Sequence, residues 1–391
     1  MMSGQTEHMG ITAGSEAGAR THGRGRLPRG RALTRRLGPG AVLVLALLLA
    51  CSKDVAEPGT QSAPAATPAP EAASTGDPAA SGPSEGALVQ GAPDGSAADP
   101  APPLPTLECP PSRYATEARV VAFGDVHGDI TATRRVLRLI GAIDASDRWV
   151  GRELVVVQTG DQLDRGPDEQ EILDLFAKLR VEAAAAGGAF FPLNGNHETM
   201  NVLGDMRYVT PRGFRDFEDA VSPAALSNPV LAQAPEHARA RLAAFLPGGR
   251  YARQLASRNV AMIVGDSVFV HGGVTPRYAK EGLDAWNAET QAWMRGEASE
   301  PPAAILDPEG PVWTRRYSDA VDDVACRDLL SALEILGVER MVVGHTVQEQ
   351  GITSACDGKV WRIDVGLAAH YGSARAQALE IHGDEVRVVE E

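Results

Sequence analysis

The chain has few aromatic residues, and a long part of it has none. Phe, Trp and Tyr make up 5% of the 391 residues, and none lies between Cys51 and Tyr114. That stretch is rich in Ala, Pro, Gly and Ser, so it cannot bury enough apolar surface to offset the entropy lost on ordering. We therefore predict that residues 52–112 are a disordered tether, which leaves residues 113–391 as the folded domain.

The N-terminal region lacks an apolar run long enough to cross a bilayer. Seven arginines precede Ala41–Ala50, a run of ten apolar residues that ends at Cys51. A membrane-spanning helix needs about 20 such residues. A basic segment, a short apolar core and a small residue before cysteine are instead similar to a bacterial lipoprotein signal. We predict that residues 1–51 are this signal, ending at a lipidated Cys51.

This signal predicts an exported lipoprotein, held in a membrane by its N-terminal lipid and facing the periplasm or the cell exterior. Ser52 follows the cysteine, where an Asp would favour retention in the inner membrane, so the outer membrane is favoured. Cleavage at another position, a start at Met9 and twin-arginine export through Arg35-Arg36 are the alternatives.

The chain also lacks an excess of positive charge. Its formal net charge at pH 7 is −14. The first fifty residues hold seven arginines and two acids, so their removal takes the charge to −19. A protein this acidic is not expected to bind nucleic acid or anionic lipid through a general basic surface.

Cysteine is scarce, and no pair of cysteines has the spacing of a structural zinc site. With Cys51 assigned to the lipid, Cys109, Cys326 and Cys356 remain. Three alternatives stay open: a Cys326–Cys356 disulfide, a bond from Cys109 that joins the tether to the domain, and no bond.

What the chain does contain is a series of polar motifs at regular spacing. GDVHG (124–128), GDQLDRG (160–166) and GNHE (195–198) each follow an apolar stretch, and Asp125, Asp161 and Asn196 are 36 and 35 residues apart. This is the spacing of βαβ units, in which successive strands deliver side chains to one edge of a sheet. HGG at 271–273 and GHT at 344–346 add imidazoles in the same setting.

The wider pattern predicts an α/β fold. We expect strands at 118–123, 153–158, 189–193, 260–264, 267–270, 340–343 and 359–364, with two short strands after residue 376. Helices are expected at 130–141, 168–186 and 326–337. A stretch with few strand signals, about 198–258, is predicted to be a helical insertion in this domain.

The motifs predict a metal site with two ions. Mixed carboxylate, amide and imidazole donors suit Mn²⁺, Fe or Zn²⁺ better than Ca²⁺. Two such ions about 3.5–4 Å apart can polarise a phosphoryl group and hold a bridging hydroxide for in-line attack. Each motif alone would be an ordinary loop, but five of them in order, each after a strand, favour a functional site.

Together the five motifs resemble the signature of the phosphoprotein phosphatase family of metallophosphoesterases. Within it, residues 196–210 resemble the Shewanella-like protein phosphatases, and the likeness covers about 118–372. It implies a calcineurin-like β-sandwich flanked by helices around two divalent ions, with Mn²⁺ expected and Fe or Zn²⁺ as alternatives. The ligands it implies, with Asp161 bridging, are Asp125, His127, Asp161, Asn196, His271 and His345.

The same resemblance implies catalytic roles. His197 would be the general acid that protonates the leaving oxygen, and Asp164 would pair with it and favour its protonated form. Arg165 would bind phosphate oxygens bidentately. A second phosphate-binding arginine would be Arg315 or Arg207, although an ion pair that holds the helical insertion is the alternative for both.

One position limits which substrate preference the resemblance implies. Gln162 stands where serine/threonine members usually have an aromatic residue, so a serine/threonine preference is not implied. Tyr371 could approach the site after the predicted strand at 359–364, but a packing role is favoured.

The predicted function is therefore a metal-dependent phosphomonoesterase that acts on phosphorylated protein, with phosphotyrosine favoured. A phosphoesterase for small phosphate esters, such as nucleotides or diadenosine polyphosphates, is one alternative, since an exported enzyme could scavenge phosphate. A non-catalytic tethered binding module is the other. No nucleic-acid partner is expected, and the membrane is reached only through the lipid anchor.

Overall fold

The structure is a computed structural model that describes residues 107–391, except 222–225, 227, 228 and 373. The predicted signal and nearly all of the predicted tether lie outside the described residues. In chain order the strands are β1 Arg113–Tyr114, β2 Val120–Phe123, β3 Val155–Gln158, β4 Ala189–Pro192, β5 Ala261–Val264, β6 Ser267–Val270, β7 Arg340–Val343, β8 Thr353–Ala355, β9 Val360–Arg362, β10 Gln377–His382 and β11 Glu385–Glu390.

Ten α-helices lie between these strands in the part of the chain that the structure describes. They are α1 Ile130–Leu139, α2 Glu169–Ala185, α3 Asn196–Leu203, α4 Pro211–Arg215, α5 Glu236–Phe245, α6 Arg250–Leu255, α7 Pro276–Glu281, α8 Leu283–Met294, α9 Ala303–Leu306 and α10 Asp323–Leu336.

The strands form two sheets, with orders β1-β5-β6-β7-β9-β8 and β11-β10-β2-β3-β4. β2, β3 and β4 are parallel neighbours, and so are β6, β7 and β9. The carboxyl ends of β2, β3 and β4 therefore share one edge, and those of β6 and β7 share an edge of the other sheet.

A buried apolar layer joins the two sheets. Ala122, Val157 and Phe191 from one sheet belong to the same packed cluster as Met262 and Phe269 from the other. The opposite face of β2 and β3 packs against α1 and α2, so these strands are buried on both sides. This explains their nearly continuous runs of Val, Ala and Phe. The predicted α/β sandwich flanked by helices is confirmed.

A disulfide fixes α10 to the edge of the first sheet. Cys326 on α10 is bonded to Cys356, which follows β8, with 5.4 Å between their Cα atoms. Cys109 is not bonded to another cysteine of the described residues, and its Sγ donates a hydrogen bond to the backbone oxygen of Ala256 at 3.1 Å. Of the three alternatives for the cysteines, the structure contains the Cys326–Cys356 bond.

The predicted elements are found with shifts of a few residues at their ends. The structure adds β1, β8 and the helices α7, α8 and α9, which the sequence pattern did not predict. Within the described ranges, every helix is too short or too polar to span a bilayer.

Candidate metal centre

The six predicted ligands lie together where the two sheets present the carboxyl ends of their strands. Each follows a strand closely, and each is at most 8% exposed. The second sheet supplies four of them and the first sheet supplies two imidazoles, so neither sheet holds a complete set. The residues are Asp125 and His127 after β2, Asp161 after β3, Asn196 after β4, His271 after β6 and His345 after β7.

Two of the imidazoles are oriented as cation ligands. His271 Nδ1 lies 2.9 Å from the backbone oxygen of Thr159, and His345 Nε2 lies 3.1 Å from that of Trp313. These carbonyls fix the N–H on the outer nitrogen of each ring, which leaves a lone pair on the inner one. The inner nitrogens, His271 Nε2 and His345 Nδ1, face each other at 3.1 Å. Two facing lone pairs repel unless a cation lies among them.

Oxygen donors complete this half of the centre. Asn196 Oδ1 lies 2.8 Å and Asp161 Oδ2 lies 3.2 Å from His271 Nε2. The four side chains thus present two oxygens and two nitrogens to one point, which is a donor set that divalent transition metals accept.

The other half of the centre contains a carboxylate with an unpaired oxygen. Asp125 Oδ2 is buried and has no hydrogen-bond partner among the residues that the structure describes. It lies 3.8 Å from His127 Nε2, which is also 3.7 Å from Asp161 Oδ2. Burial, with the nearby Asp364 and Asp161 carboxylates, raises the pKa of Asp125 well above its usual range. A cation at this point would relieve both the burial cost and the repulsion, so these residues also fit a metal ion.

Glu198 holds the Asp161 loop in place, a role that sequence reasoning did not assign. This fully buried carboxylate accepts hydrogen bonds from the backbone N–H groups of Asp161 (2.8 Å), Gln162 (2.9 Å), Leu163 (3.2 Å) and Gly195 (2.7 Å). It thereby ties the loop after β3 to the start of α3. The signal was present, since Glu198 occupies the third position of a helix that begins at Asn196, where a capping glutamate belongs.

The backbone at the centre is strained. His127, Asp161, Asp164, Arg165 and His345 have positive φ angles between 39° and 68°. Residues with a β-carbon seldom adopt this region, and they keep it only where surrounding contacts impose it.

Two motif glycines are needed because the chain passes close to the ligands. A β-carbon on Gly344 would lie 2.5 Å from Asp125 Oδ1, and one on Gly195 would collide with Asp161 Oδ1. Both positions therefore exclude larger residues.

His197 lies beside the ligands with its ring held by an acid. Its Nδ1 is 2.6 Å from Asp164 Oδ2, and its Nε2 is 3.7 Å from Asp161 Oδ2. Burial alone would lower the pKa of His197, but the carboxylates of Asp161 and Asp164 outweigh it and raise the pKa. The ring is also close enough to share an ion with His127 and Asp161. Its bond to Asp164, however, favours a protonated ring, and a protonated nitrogen cannot be a ligand.

Arg165 lies at the open side of the centre between two tyrosines. Its Nη1 is 2.7 Å from His127 Nε2 and contacts the hydroxyl of Tyr371. The guanidinium carbon is 5.2 Å from the ring centroids of both Tyr208 and Tyr371. Tyr371, which the sequence predicted mainly as a packing residue, therefore reaches the predicted phosphate-binding arginine.

The structure separates the two candidates for a second phosphate-binding arginine. Arg315 Nη1 donates to the backbone oxygen of His345 at 2.8 Å and to the Thr346 hydroxyl at 2.7 Å. Arg207 instead pairs with Asp205 at 2.6 Å, and its side chain is 65% exposed. Only Arg315 contacts a loop that carries a predicted ligand.

Asp364 is a further buried acid that sequence reasoning missed. It follows β9, accepts a hydrogen bond from the Gly366 N–H at 3.0 Å and lies next to Asp125. Burial raises the pKa of Asp364 to about 6. Asp364 is the last residue of the strand predicted at 359–364, so an acid at the carboxyl end of a strand was the signal that could have found it.

A cavity of about 360 Å³ opens beside Arg165 and His127. Asp129, Asp168 and His370 contribute polar groups to its wall. It is large enough for a side chain of a bound partner.

Comparison with known proteins places these residues in a family context. Residues 118–349 match a model of calcineurin-like phosphoesterases. Shewanella-like protein phosphatase 2 of Arabidopsis thaliana is 38% identical over 308 residues, covering 71% of this chain and 79% of that protein. Shewanella-like protein phosphatase 1 of Plasmodium berghei is 27% identical, covering 69% and 74%. A solved cold-active protein-tyrosine phosphatase of a psychrophilic Shewanella species aligns with a TM-score of 0.56 and 25% identity, covering 72% and 83%.

Proposed function

The chain belongs to the calcineurin-like phosphoesterase family and is a metal-dependent phosphatase. From this premise we propose that it acts on phosphorylated protein, and we propose what its individual residues do and which substrate it prefers. The observation that supports the assignment best is the pair of imidazole nitrogens, on His271 and His345, that face each other at 3.1 Å.

We assign the ligands by the two halves of the centre. Asp125, His127 and Asp161 would hold one ion, and Asp161 would bridge to the second, whose other ligands are Asn196, His271 and His345. Mn²⁺ is the ion we propose, with Fe and Zn²⁺ as the alternatives. When bound, the ions supply Lewis-acid polarisation of the phosphoryl group and activate the attacking water.

The remaining polar side chains would bind the phosphate and protonate the leaving group. Arg165 and Arg315 approach the centre through different loops, and both have donors that can reach phosphate oxygens. His197 Nε2 faces the centre while Nδ1 is held by Asp164. As the ester P–O bond breaks, the leaving oxygen keeps the bonding electrons and takes the proton from Nε2.

We propose phosphotyrosine as the preferred phosphorylated residue. Tyr208 and Tyr371 are 43% and 37% exposed on either side of Arg165, so a substrate phenyl ring has two aromatic rings to pack against. The Shewanella protein of known structure to which this chain is similar is a cold-active protein-tyrosine phosphatase. An aromatic entrance favours a phosphorylated phenol over the short phosphoserine side chain.

The test compares initial rates of the Mn²⁺-loaded enzyme on a phosphotyrosine peptide, a phosphoserine/threonine peptide and diadenosine tetraphosphate. We expect the phosphotyrosine peptide to be turned over fastest. Fast turnover of the nucleotide alone would contradict the substrate proposal and favour scavenging of small phosphate esters.

Three variants test the site itself. Asp161→Asn removes a bridging charge, so ion affinity should fall by at least about 100-fold, beyond the 10–100-fold typical of supporting residues. Arg315→Ala should raise KM, whereas Arg207→Ala should not, because Arg207 pairs with Asp205. Unchanged metal content and activity in Asp161→Asn, with the fold intact by circular dichroism, would refute the assignment.

We further propose that the enzyme is an exported lipoprotein attached through Cys51. The sequence motif is the main support. The Cys326–Cys356 disulfide is also consistent with an oxidising compartment outside the cytoplasm.

A further inference from the structure

Arg241 is a fully buried cation in the helical insertion. It lies on α5, and its side chain is 0% exposed. Its Nη2 is 3.2 Å from Asp164 Oδ1, and its Nε donates to Asn201 Oδ1 at 2.8 Å. Asn201 Nδ2 in turn donates to the same Asp164 oxygen at 3.1 Å. One oxygen of the carboxylate that holds His197 is therefore fixed by the helical insertion.

A second carboxylate, that of Glu169, links Arg241 to the backbone of Asp164. The guanidinium forms two hydrogen bonds to Glu169, of which the bond from Nη2 to Oε1 measures 2.8 Å. Glu169 Oε1 also accepts a hydrogen bond from the Asp164 N–H. Arg241 thus contacts the Asp164 side chain directly and its backbone through Glu169.

The rest of the guanidinium is enclosed. Nη1 donates to the backbone oxygen of Gly213 at 2.9 Å, and the rings of Phe217 and Phe245 lie 5.2 and 5.3 Å from the guanidinium carbon. The aromatic rings contact the faces of the guanidinium plane, and the hydrogen bonds lie around its edge. Together these contacts allow the guanidinium group only one orientation.

Charge explains why a cation is required there. Asp164 and Glu169 are both 0% exposed and belong to one hydrogen-bonded network. Two adjacent buried carboxylates without a counterion would repel each other and remain undersolvated. Arg241 compensates both, and it leaves Asp164 Oδ2 free for His197 Nδ1 at 2.6 Å.

We propose that Arg241 is a positioning residue for the general acid. It holds the Asp164 carboxylate so that Oδ2 meets His197 Nδ1, and His197 Nε2 is thereby directed to the leaving oxygen. This role rests on the proposed function of His197. The helical insertion is then part of the catalytic apparatus as well as a neighbour of the site.

The test uses the leaving-group dependence of the rate. A misplaced acid slows the release of a poor leaving group, whereas p-nitrophenolate departs with little help. For Arg241→Met we expect kcat to fall about tenfold or more on a phosphotyrosine peptide and less than about threefold on p-nitrophenyl phosphate, since general acids contribute about 10²–10⁴-fold. Arg241→Lys keeps the charge but not the fork of donors, and should lie between wild type and Arg241→Met.

Further variants distinguish a wrong role for Arg241 from a wrong general acid and from misfolding. His197→Ala and Asp164→Asn should show the same leaving-group dependence, and Arg239→Met, on the same helix, should behave as wild type. The ratio of rates on the two substrates is independent of the folded fraction, so partial unfolding does not obscure it. If Arg241→Met does not fold, Asn201→Ala tests the same carboxylate from its other partner.

The role of Arg241 alone would be overturned if the Arg241 and Asn201 variants lost kcat equally on both substrates while His197→Ala lost kcat mainly on the phosphotyrosine peptide. Equal losses in His197→Ala would instead overturn the general acid on which the role depends.

Discussion

At the scale of single residues, Glu198 shows how much of the centre depends on groups that would not touch an ion. It is the common acceptor for four backbone N–H groups around Asp161. The strained φ of Asp161, 58°, persists because these contacts impose it.

Replacing this carboxylate should therefore weaken ion binding from a distance. In Glu198→Gln the new amide N–H₂ would face backbone donors, so the loop should lose its fixed conformation. We expect the affinity for Mn²⁺ to fall by about 10–100-fold, as for other residues that support ligands. Calorimetric titration with Mn²⁺ measures this. The control is Glu334→Gln at an exposed position of α10, and equal affinities of the two variants would contradict the role.

The sequence could predict that the motif residues lie at one site, because each motif follows a strand and the carboxyl ends of parallel strands meet at one edge of a sheet. All six predicted ligands, with His197, Asp164 and Arg165, lie at one site. Arg241 could not be predicted, because nothing near it in the chain marks it as a partner for Asp164. Its role arises from a contact between residues 77 positions apart.

At the scale of elements, the disulfide joins α10 to the sheet edge across a loop of 30 residues. A cross-link of this length restricts the unfolded chain and should contribute about 3–4 kcal/mol to the free energy of unfolding. Urea denaturation of Cys326→Ser/Cys356→Ser should show this loss. Cys109→Ser, which removes the free thiol, should not, and a similar stability of both variants would refute the expectation.

Two of the three helices that the sequence pattern missed are short, although α8, with 12 residues, was missed as well. The sequence pattern predicted α2, which has 17 residues, within a few positions of its ends. It also predicted the four-residue strands β2 and β3, which precede the first two motifs. α7, α8 and α9 were missed. α7 and α9 have six and four residues, too few turns to establish a period, and α7 begins with Pro276, which also reads as a turn.

At the scale of the whole molecule, the centre joins the two sheets, since each supplies only part of the ligands. The ions bind the folded chain only, so each should stabilise it by about 2.7 kcal/mol at a free concentration one hundred times its own Kd. Thermal unfolding with Mn²⁺ and after chelation measures the shift. His271→Ala removes a first-sheet ligand of the second ion only, so it should abolish that ion's share of the shift, and an undiminished shift would argue against an ion that bridges the sheets.

The predicted export signal also acts at this scale. We expect Cys51→Ser to move the enzyme from the membrane fraction to the soluble fraction, because the lipid attachment point is lost. The kcat/KM of the two forms should agree, since every site residue follows position 124. Cell fractionation with activity assays measures both, and a Cys51→Ser protein that stays in the membrane fraction would refute lipid attachment at this cysteine.

The placement of Arg241 bears on how this enzyme could be recombined with its relatives. The six ligands lie outside the helical insertion, with Asn196 at its edge. The part of the insertion beyond α3 could therefore be exchanged without altering the ligands, Glu198 or Asn201. Such an exchange would remove the counterion of Asp164. Chimeras should then fall into two groups. If the relative's segment supplies a buried arginine at the same place, the chimera should take on that relative's substrate selectivity and keep its turnover rate. If the segment lacks this arginine, the chimera should bind substrate and turn it over slowly.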